Sequence, residues 1–268
     1  MALGVKKLPS LSNVAAGADA TLECPLGPTY TKITFGASGT GLTAAHIGKI
    51  EVRINGKVVM EFRDLQRLID LNSYYGRPAD SANQFTIYFD RPEASDLPFK
   101  RLAGIGTQDI QTFDVRISID AAAPSDLTME AWAEVREPMA LGPIVKVREF
   151  PFSSSVAGEV DIDKIPRGPR IVAIHLFKSD VNAVVLEADS VKVIDASKAV
   201  LETLEKQAVP RARAPLSSKA THLDFVLEGD FAQSLVTKAL RDLRLKATLG
   251  TSGSMDIVVE YLDQAASV

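Results

Sequence analysis

The sequence predicts an all-β chain folded as two similar antiparallel β-sandwich domains in tandem. Three observations predict it: a globular composition, short runs of strand-type alternation closed by turn residues, and the recurrence of one pattern in both halves. The chain has 268 residues, 46% hydrophobic and 24% charged, enough apolar surface to offset the entropy of ordering. About seven or eight short strands and one or two short helices fit each half, and no βαβα alternation points to a doubly wound sheet. Many short alternating strands read as a sandwich or jelly roll.

Composition also excludes whole classes of function. A net charge of -4 argues against non-specific nucleic-acid binding, which needs a positive face. No run of about 18 apolar residues occurs, so no helix is expected to span a membrane. Met1 to Lys7 has no apolar stretch after its basic pair and does not read as a secretory signal. The single cysteine, Cys24, excludes an intrachain disulfide and a zinc knuckle, as suits assembly in a reducing cytoplasm.

The repeat is read in chain order. Val14-Ala15-Ala16-Gly17 precedes Gly27-Pro28 and the run Tyr30 to Phe35, as Val156-Ala157-Gly158 precedes Gly168-Pro169 and Ile171 to Phe177; both glycine pairs are 141 residues apart. Ile50 to Ile54 alternates with period two and meets Asn55-Gly56, a strong hairpin signal, before Val58-Val59-Met60 returns. Val184 to Ala188, Asp189-Ser190 and Val191 to Ile194 take the same places. Each hairpin runs into a helical pattern, with Leu65, Leu68 and Ile69 in the first half and Val200, Leu201 and Leu204 in the second. Phe85 to Asp90 then aligns with Leu223 to Glu228, Val115 to Ile117 with Leu243 to Leu245, and Leu127 to Ala131 with Met255 to Val259, the last two at an offset of 128. The shrinking offset places longer insertions in the first half, at Ala37 to Gly48 and Pro92 to Gly106. Pro138, Gly142, Pro143 and Pro151 punctuate the join, so the expected domains are residues 1–140 and 141–268.

Sites of chemistry are sparse. Gly36 to Thr43 follows a strand and imitates a phosphate-binding loop, but Leu42 stands where a lysine must neutralise phosphate charge, so a flexible insertion loop is expected. His46, His175 and His222 are far apart in sequence, and His175, inside a strand, reads as a core or interface side chain. No serine lies in a Gly-x-Ser-x-Gly elbow. The acidic pairs Asp161/Asp163 and Glu228/Asp230 could hold a hard cation or simply be solvated strand ends. Pro210 to Pro215, with Arg211 and Arg213 between its prolines, reads as an exposed basic loop, open to an acidic neighbour or a lipid headgroup.

The residues Asn13 to Gly17, Gly27-Pro28-Thr29-Tyr30, Arg91-Pro92-Glu93, Ala173-Ile174-His175, Leu227-Glu228-Gly229-Asp230 with Gln233-Ser234, Asp242 to Lys246 and Val258 to Tyr261 carry a further observation. Through them, from Leu8 to Leu262, the chain resembles the major capsid proteins of corticoviruses, tailless marine bacteriophages with an internal membrane. The last third is the closest, and Arg136 to Ser155 departs most. The resemblance implies a double jelly roll without enzymatic activity. It implies a homotrimer presenting six jelly rolls as a near-hexagonal tile of an icosahedral capsid. Its partners would be neighbouring capsid trimers, other virion proteins and the internal viral membrane, with no specific nucleic acid; its location would be the virion, after assembly in the bacterial host cytoplasm. It also implies calcium, for which Glu228 and Asp230 are the candidates, since they lie in the best-matched stretch. Two other classes compete. A carbohydrate-binding jelly-roll module, such as a virion spike or lectin, would gather aromatic side chains on loops, where Tyr74-Tyr75 is the available pair and Trp132 lies in a strand. A jelly-roll hydrolase or cupin-type enzyme would need a constellation that is missing.

Overall fold

A computed structural model of the chain describes residues 4–163, 165–167 and 170–264. It separates into two compact units. Of the described residues, the first holds Gly4–Ser73, Arg77–Val147 and Asp263–Gln264, and the second holds Tyr74–Gly76 and those of Arg148–Leu262.

The first unit contains β1 (Gly4–Lys7), β2 (Asp19–Glu23), β3 (Thr29–Ser38), β4 (Ile47–Ile54), β5 (Lys57–Phe62), α1 (Leu65–Tyr74, its last residue counted with the second unit), β6 (Gln84–Tyr88), α2 (Leu97–Arg101), β7 (Ile105–Gly106), β8 (Phe113–Ile119) and β9 (Thr128–Arg136). Its sheets run β1-β9-β3-β6, with β7 on β3, and β2-β8-β4-β5. This is the strand order of a jelly roll. Period-two alternation explains the core between the sheets: Ile33, Phe35, Phe85, Ile87 and Ala133 face in from one, Leu22, Ile50, Val52, Val115 and Ile117 from the other, all buried. Phe35 and Phe85 stack across the β3/β6 pair at 5.1 Å between centroids.

β10 (Ile144–Ser154) begins in the first unit and continues in the second. The second unit adds β11 (Gly158–Ile162), β12 (Arg170–Phe177), β13 (Val181–Ala188), β14 (Val191–Ser197), α3 (Lys198–Lys206), β15 (Thr221–Asp224), β16 (Leu235–Val236), β17 (Leu243–Leu249) and β18 (Gly253–Asp263). Its sheets run β10-β18-β12-β15, with β16 on β12, and β11-β17-β13-β14. Strand for strand this repeats the first unit, down to the short helix before the β6 and β15 positions. The fold is therefore the expected all-β double jelly roll with short inserted helices.

Irregularities are duplicated too. The β3/β9 register skips Thr31 and the β12/β18 register skips Val172, 141 residues on. The carbonyl of Thr31 accepts from the amide of Phe89, as the carbonyl of Val172 accepts from that of Phe225. Both predicted hairpins carry two left-handed residues, Asn55-Gly56 (φ 51° and 75°) and Asp189-Ser190 (φ 48° and 67°). Only glycine adopts that conformation without a Cβ penalty. Ser190→Gly is therefore expected to stabilise the second unit by about 1 kcal/mol, read from its urea midpoint.

Two details of the expected repeat need correction. Beyond the helices the sequence alignment is off by two residues. Val115 and Leu245 pair with the equivalent residues Val52 and Leu186, so Leu245 rather than Leu243 answers Val115. Likewise Ile87 answers Leu223, and Ala133 answers Val259. A slip of two keeps every side chain on its face, so alternation alone cannot detect it. In α3, Leu201 and Glu205 are buried while Val200 and Leu204 are half exposed, so of the expected apolar stripe Leu201 alone faces inward. The Gly168-Pro169 match lies outside the described residues.

Candidate functional site

Glu228 and Asp230 flank Gly229, whose φ of 76° turns the chain after β15. Asp230 caps the 3-10 turn Phe231–Gln233, accepting from the amide of Ala232 at 2.7 Å, and Glu228 accepts from the side-chain amide of Gln233. These bonds engage one oxygen of each carboxylate. Calcium takes about six to eight oxygens, so two carboxylates are a fraction of a site. Among the described residues no three His, Cys, Asp or Glu side chains gather as metal ligands. Asp161 and Asp163 line a shallow recess with Arg167, Asp242 and Arg244, in which Arg244 pairs with Asp242 at 2.7 Å.

The Gly36 to Thr43 stretch is held by a carboxylate. Thr40 donates its amide to Asp126 Oδ1 at 3.0 Å and its hydroxyl to Oδ2 at 2.8 Å, while the amide of Thr43 donates to His46 Nδ1.

Other expectations are overturned. Tyr74 and Tyr75 are buried, so they form no exposed aromatic platform. Arg213, expected on a solvated loop, is buried and pairs with the buried side chain of Asp224 at 2.7 Å. It also donates to the carbonyls of Arg211 and Val226, and the Tyr75 ring lies 5.5 Å from its guanidinium carbon. The acidic neighbour that the basic loop was expected to meet is thus in the same chain.

His175 and His222, remote in sequence, are directly opposed on β12 and β15, with Nδ1 atoms 2.8 Å apart and both rings buried. They project from the sheet face opposite the core residues Ile174, Leu176 and Leu223. His175 Nε2 is 3.3 Å from Glu260 Oε1 on β18, and the amide of Leu216 donates to His222 Nε2 at 3.3 Å. The Tyr74 ring stacks on His222 at 4.0 Å, and its hydroxyl donates to Glu205 at 3.2 Å. Burial, then the charge of Asp224, lifts the Glu205 carboxyl to about 8. Burial, then His175, lowers His222 well below the ordinary imidazole range. The register correspondence puts Thr34 and Thr86 at these positions in the first unit, where their hydroxyls are 3.1 Å apart. It also sets Lys32–Glu134, an ion pair at 2.6 Å, against Ala173 and Glu260. Ala173 stands opposite Glu260, whose Oε1 lies near His175 Nε2. A cross-strand polar pair is thus common to both units, and its histidine version could have been found only by aligning the halves in their true register.

Comparison with known proteins finds similarity along nearly the whole chain. The family models for the viral coat protein P2 N-terminal and C-terminal domains match residues 5–136 and 144–265. The chain is 32% identical over 264 residues to the major capsid protein P2 of Pseudoalteromonas phage PM2, covering 95% of each. The crystal structure of that protein matches with a TM-score of 0.91 at 29% identity, covering 98% of each chain. The STIV MCP matches with a TM-score of 0.69 at 13% identity, covering 100% of this chain and 99% of that one, a likeness of fold.

Proposed function

The chain belongs to the viral coat protein P2 family in both its domains, and from that premise we propose that it is a major capsid protein whose homotrimers tile an icosahedral shell around an internal membrane. The role is structural, not catalytic. The observation that carries it is the identical strand order of the two units. Two similar domains, repeated by a threefold axis, present six comparable lobes, the shape that packs neighbouring trimers into flat facets. The domains are taken as residues 1–140 and 141–268, the second opening just before β10 at Ile144. The protein resides in the virion capsid after assembly in the bacterial host cytoplasm, and meets neighbouring trimers, other virion proteins and the membrane.

Size-exclusion chromatography with light scattering tests the trimer. The expected mass is about 86 kDa, three times 28.8 kDa, and a stable 28.8 kDa species at micromolar concentration overturns the proposal. Calcium, in this reading, joins shells rather than single chains, since Glu228 and Asp230 supply two carboxylates and further oxygens must come from carbonyls, water or another subunit. Each chain carries a net charge of -4, so a bridging cation also relieves repulsion between tiles. A calcium chelator at constant ionic strength is expected to dissociate assembled shells while leaving isolated trimers intact. Shells that scatter unchanged rule the cation role out.

A further inference from the structure

The buried histidine pair has one self-consistent set of protons. Leu216 donates its amide to His222 Nε2, so that nitrogen carries no proton and a neutral His222 carries its proton on Nδ1. The 2.8 Å contact then runs from His222 Nδ1–H to a bare His175 Nδ1. His175 in turn carries its proton on Nε2 and donates toward Glu260. Each ring is neutral, and both of its nitrogens are engaged. A third proton has nowhere to go without breaking a bond. On His222 Nε2 it faces the Leu216 N–H, and on His175 Nδ1 it faces the His222 N–H.

We infer that the His175–His222 pair is an acid-released latch, which holds the Leu216 segment and Tyr74 against the sheet while both rings are neutral and lets them go when one is protonated. What it holds is specific. Leu216 is bound through His222 Nε2, the Tyr74 ring is stacked on His222, and the amide of Ala214 donates to the Tyr74 carbonyl. Glu260 on β18 and Lys198 on α3 act on the pair directly, Tyr74 at the end of α1 and the next residue, Tyr75, pack their rings on it, and Glu205 on α3, Asp224 on β15 and Arg213 on the loop surround those two tyrosines. Burial opposes a proton on His222 most, His175 and then Lys198 add to that opposition, and Glu260 favours one. The sign follows. Unfolded His222 binds a proton below about pH 6.5 and folded His222 resists it, so the stability this site contributes is full above that pH and is lost as pH falls below it, opposite in sign to the contribution of Glu205. The threonine pair of the first unit, at the same place, has no such dependence.

Two measurements on the intact protein test this, and neither depends on the capsid reading. Histidine-selective nitrogen NMR near neutral pH should show His222 protonated on Nδ1 and His175 on Nε2, with the partly exposed His46 as an internal reference. Hydrogen exchange at the Leu216 amide, corrected for intrinsic rate, should rise about tenfold or more between about pH 7.5 and pH 5, while first-unit amides such as Phe35 show no rise. The double variant His175→Thr/His222→Thr, which copies the first unit's pair, should abolish that difference. The opposite tautomers, or Leu216 protection that is unchanged by acid in the native protein, would overturn the latch, even if the double variant fails to fold.

Discussion

Glu93→Ala is expected to destabilise the first unit by about 3–5 kcal/mol, the cost of stranding buried charge. Glu93 is buried and accepts from Arg77 at 2.8 Å and from Arg91 at 3.3 Å, both of whose side chains are also buried. Arg77 further donates to Asn72 Oδ1 at 2.9 Å and lies 4.7 Å from the Tyr88 ring, so it cannot swing into water without breaking those contacts. Burial alone would raise the Glu93 carboxyl, but the two guanidinium groups override it and hold the group below the ordinary glutamate range. Its contribution is therefore present above the unfolded pKa of about 4.3 and is lost as pH falls through the lower folded value. Urea unfolding at neutral pH checks the size of the effect. Glu93→Gln, which keeps an acceptor but no charge, should cost roughly half as much. A loss under about 1 kcal/mol for Glu93→Ala would mean that the arginines find other partners.

Glu205→Gln has the opposite sign. It is expected to stabilise the second unit, little near pH 4.5 and by an order of 3–5 kcal/mol above pH 8. Glu205 lies inward on α3, and its Oε2 is buried without a hydrogen-bond partner. Its carboxyl is lifted to about 8 by burial and by Asp224, against the weaker pull of the Tyr74 hydroxyl and Arg213. A raised folded pKa favours folding below the unfolded pKa, and that advantage is lost as pH rises through the folded value. Glutamine keeps the acceptor for Tyr74 and removes the ionisation. Thermal unfolding of both proteins from pH 4.5 to pH 9 should show the gap opening with pH. A gap of constant size would show that Glu205 does not titrate in the folded state as described.

The legible part of the fold is the part governed by local rules. Asn55-Gly56 and Asp189-Ser190 announce their hairpins because few residue pairs tolerate two positive φ angles, and both turns are present. Alternation along Phe113–Ile119 and Leu243–Leu249 gave the strands and their inward faces, but not the register, since period two is blind to a two-residue slip. What escaped depends on tertiary partners. Arg213 has the look of a solvated loop arginine until β15 brings Asp224 to it. The Tyr74-Tyr75 pair, the one available to a carbohydrate platform in the competing reading, is buried, with Tyr74 against a histidine far along the chain. His175 was legible as a strand residue with a core or interface role, but its partner, 47 residues away, follows only from the β12/β15 register. Arg91-Pro92-Glu93 contributed to the family resemblance, while the ion network around Glu93 needed Arg77 from a separate segment.

Electron microscopy of the purified oligomer, averaged face-on, tests the central claim most directly. Two jelly rolls per chain under a threefold axis predict a near-hexagonal particle with six lobes, alternating between two slightly different kinds. Particles with two-fold symmetry, or single chains with two lobes and no larger species, would contradict it.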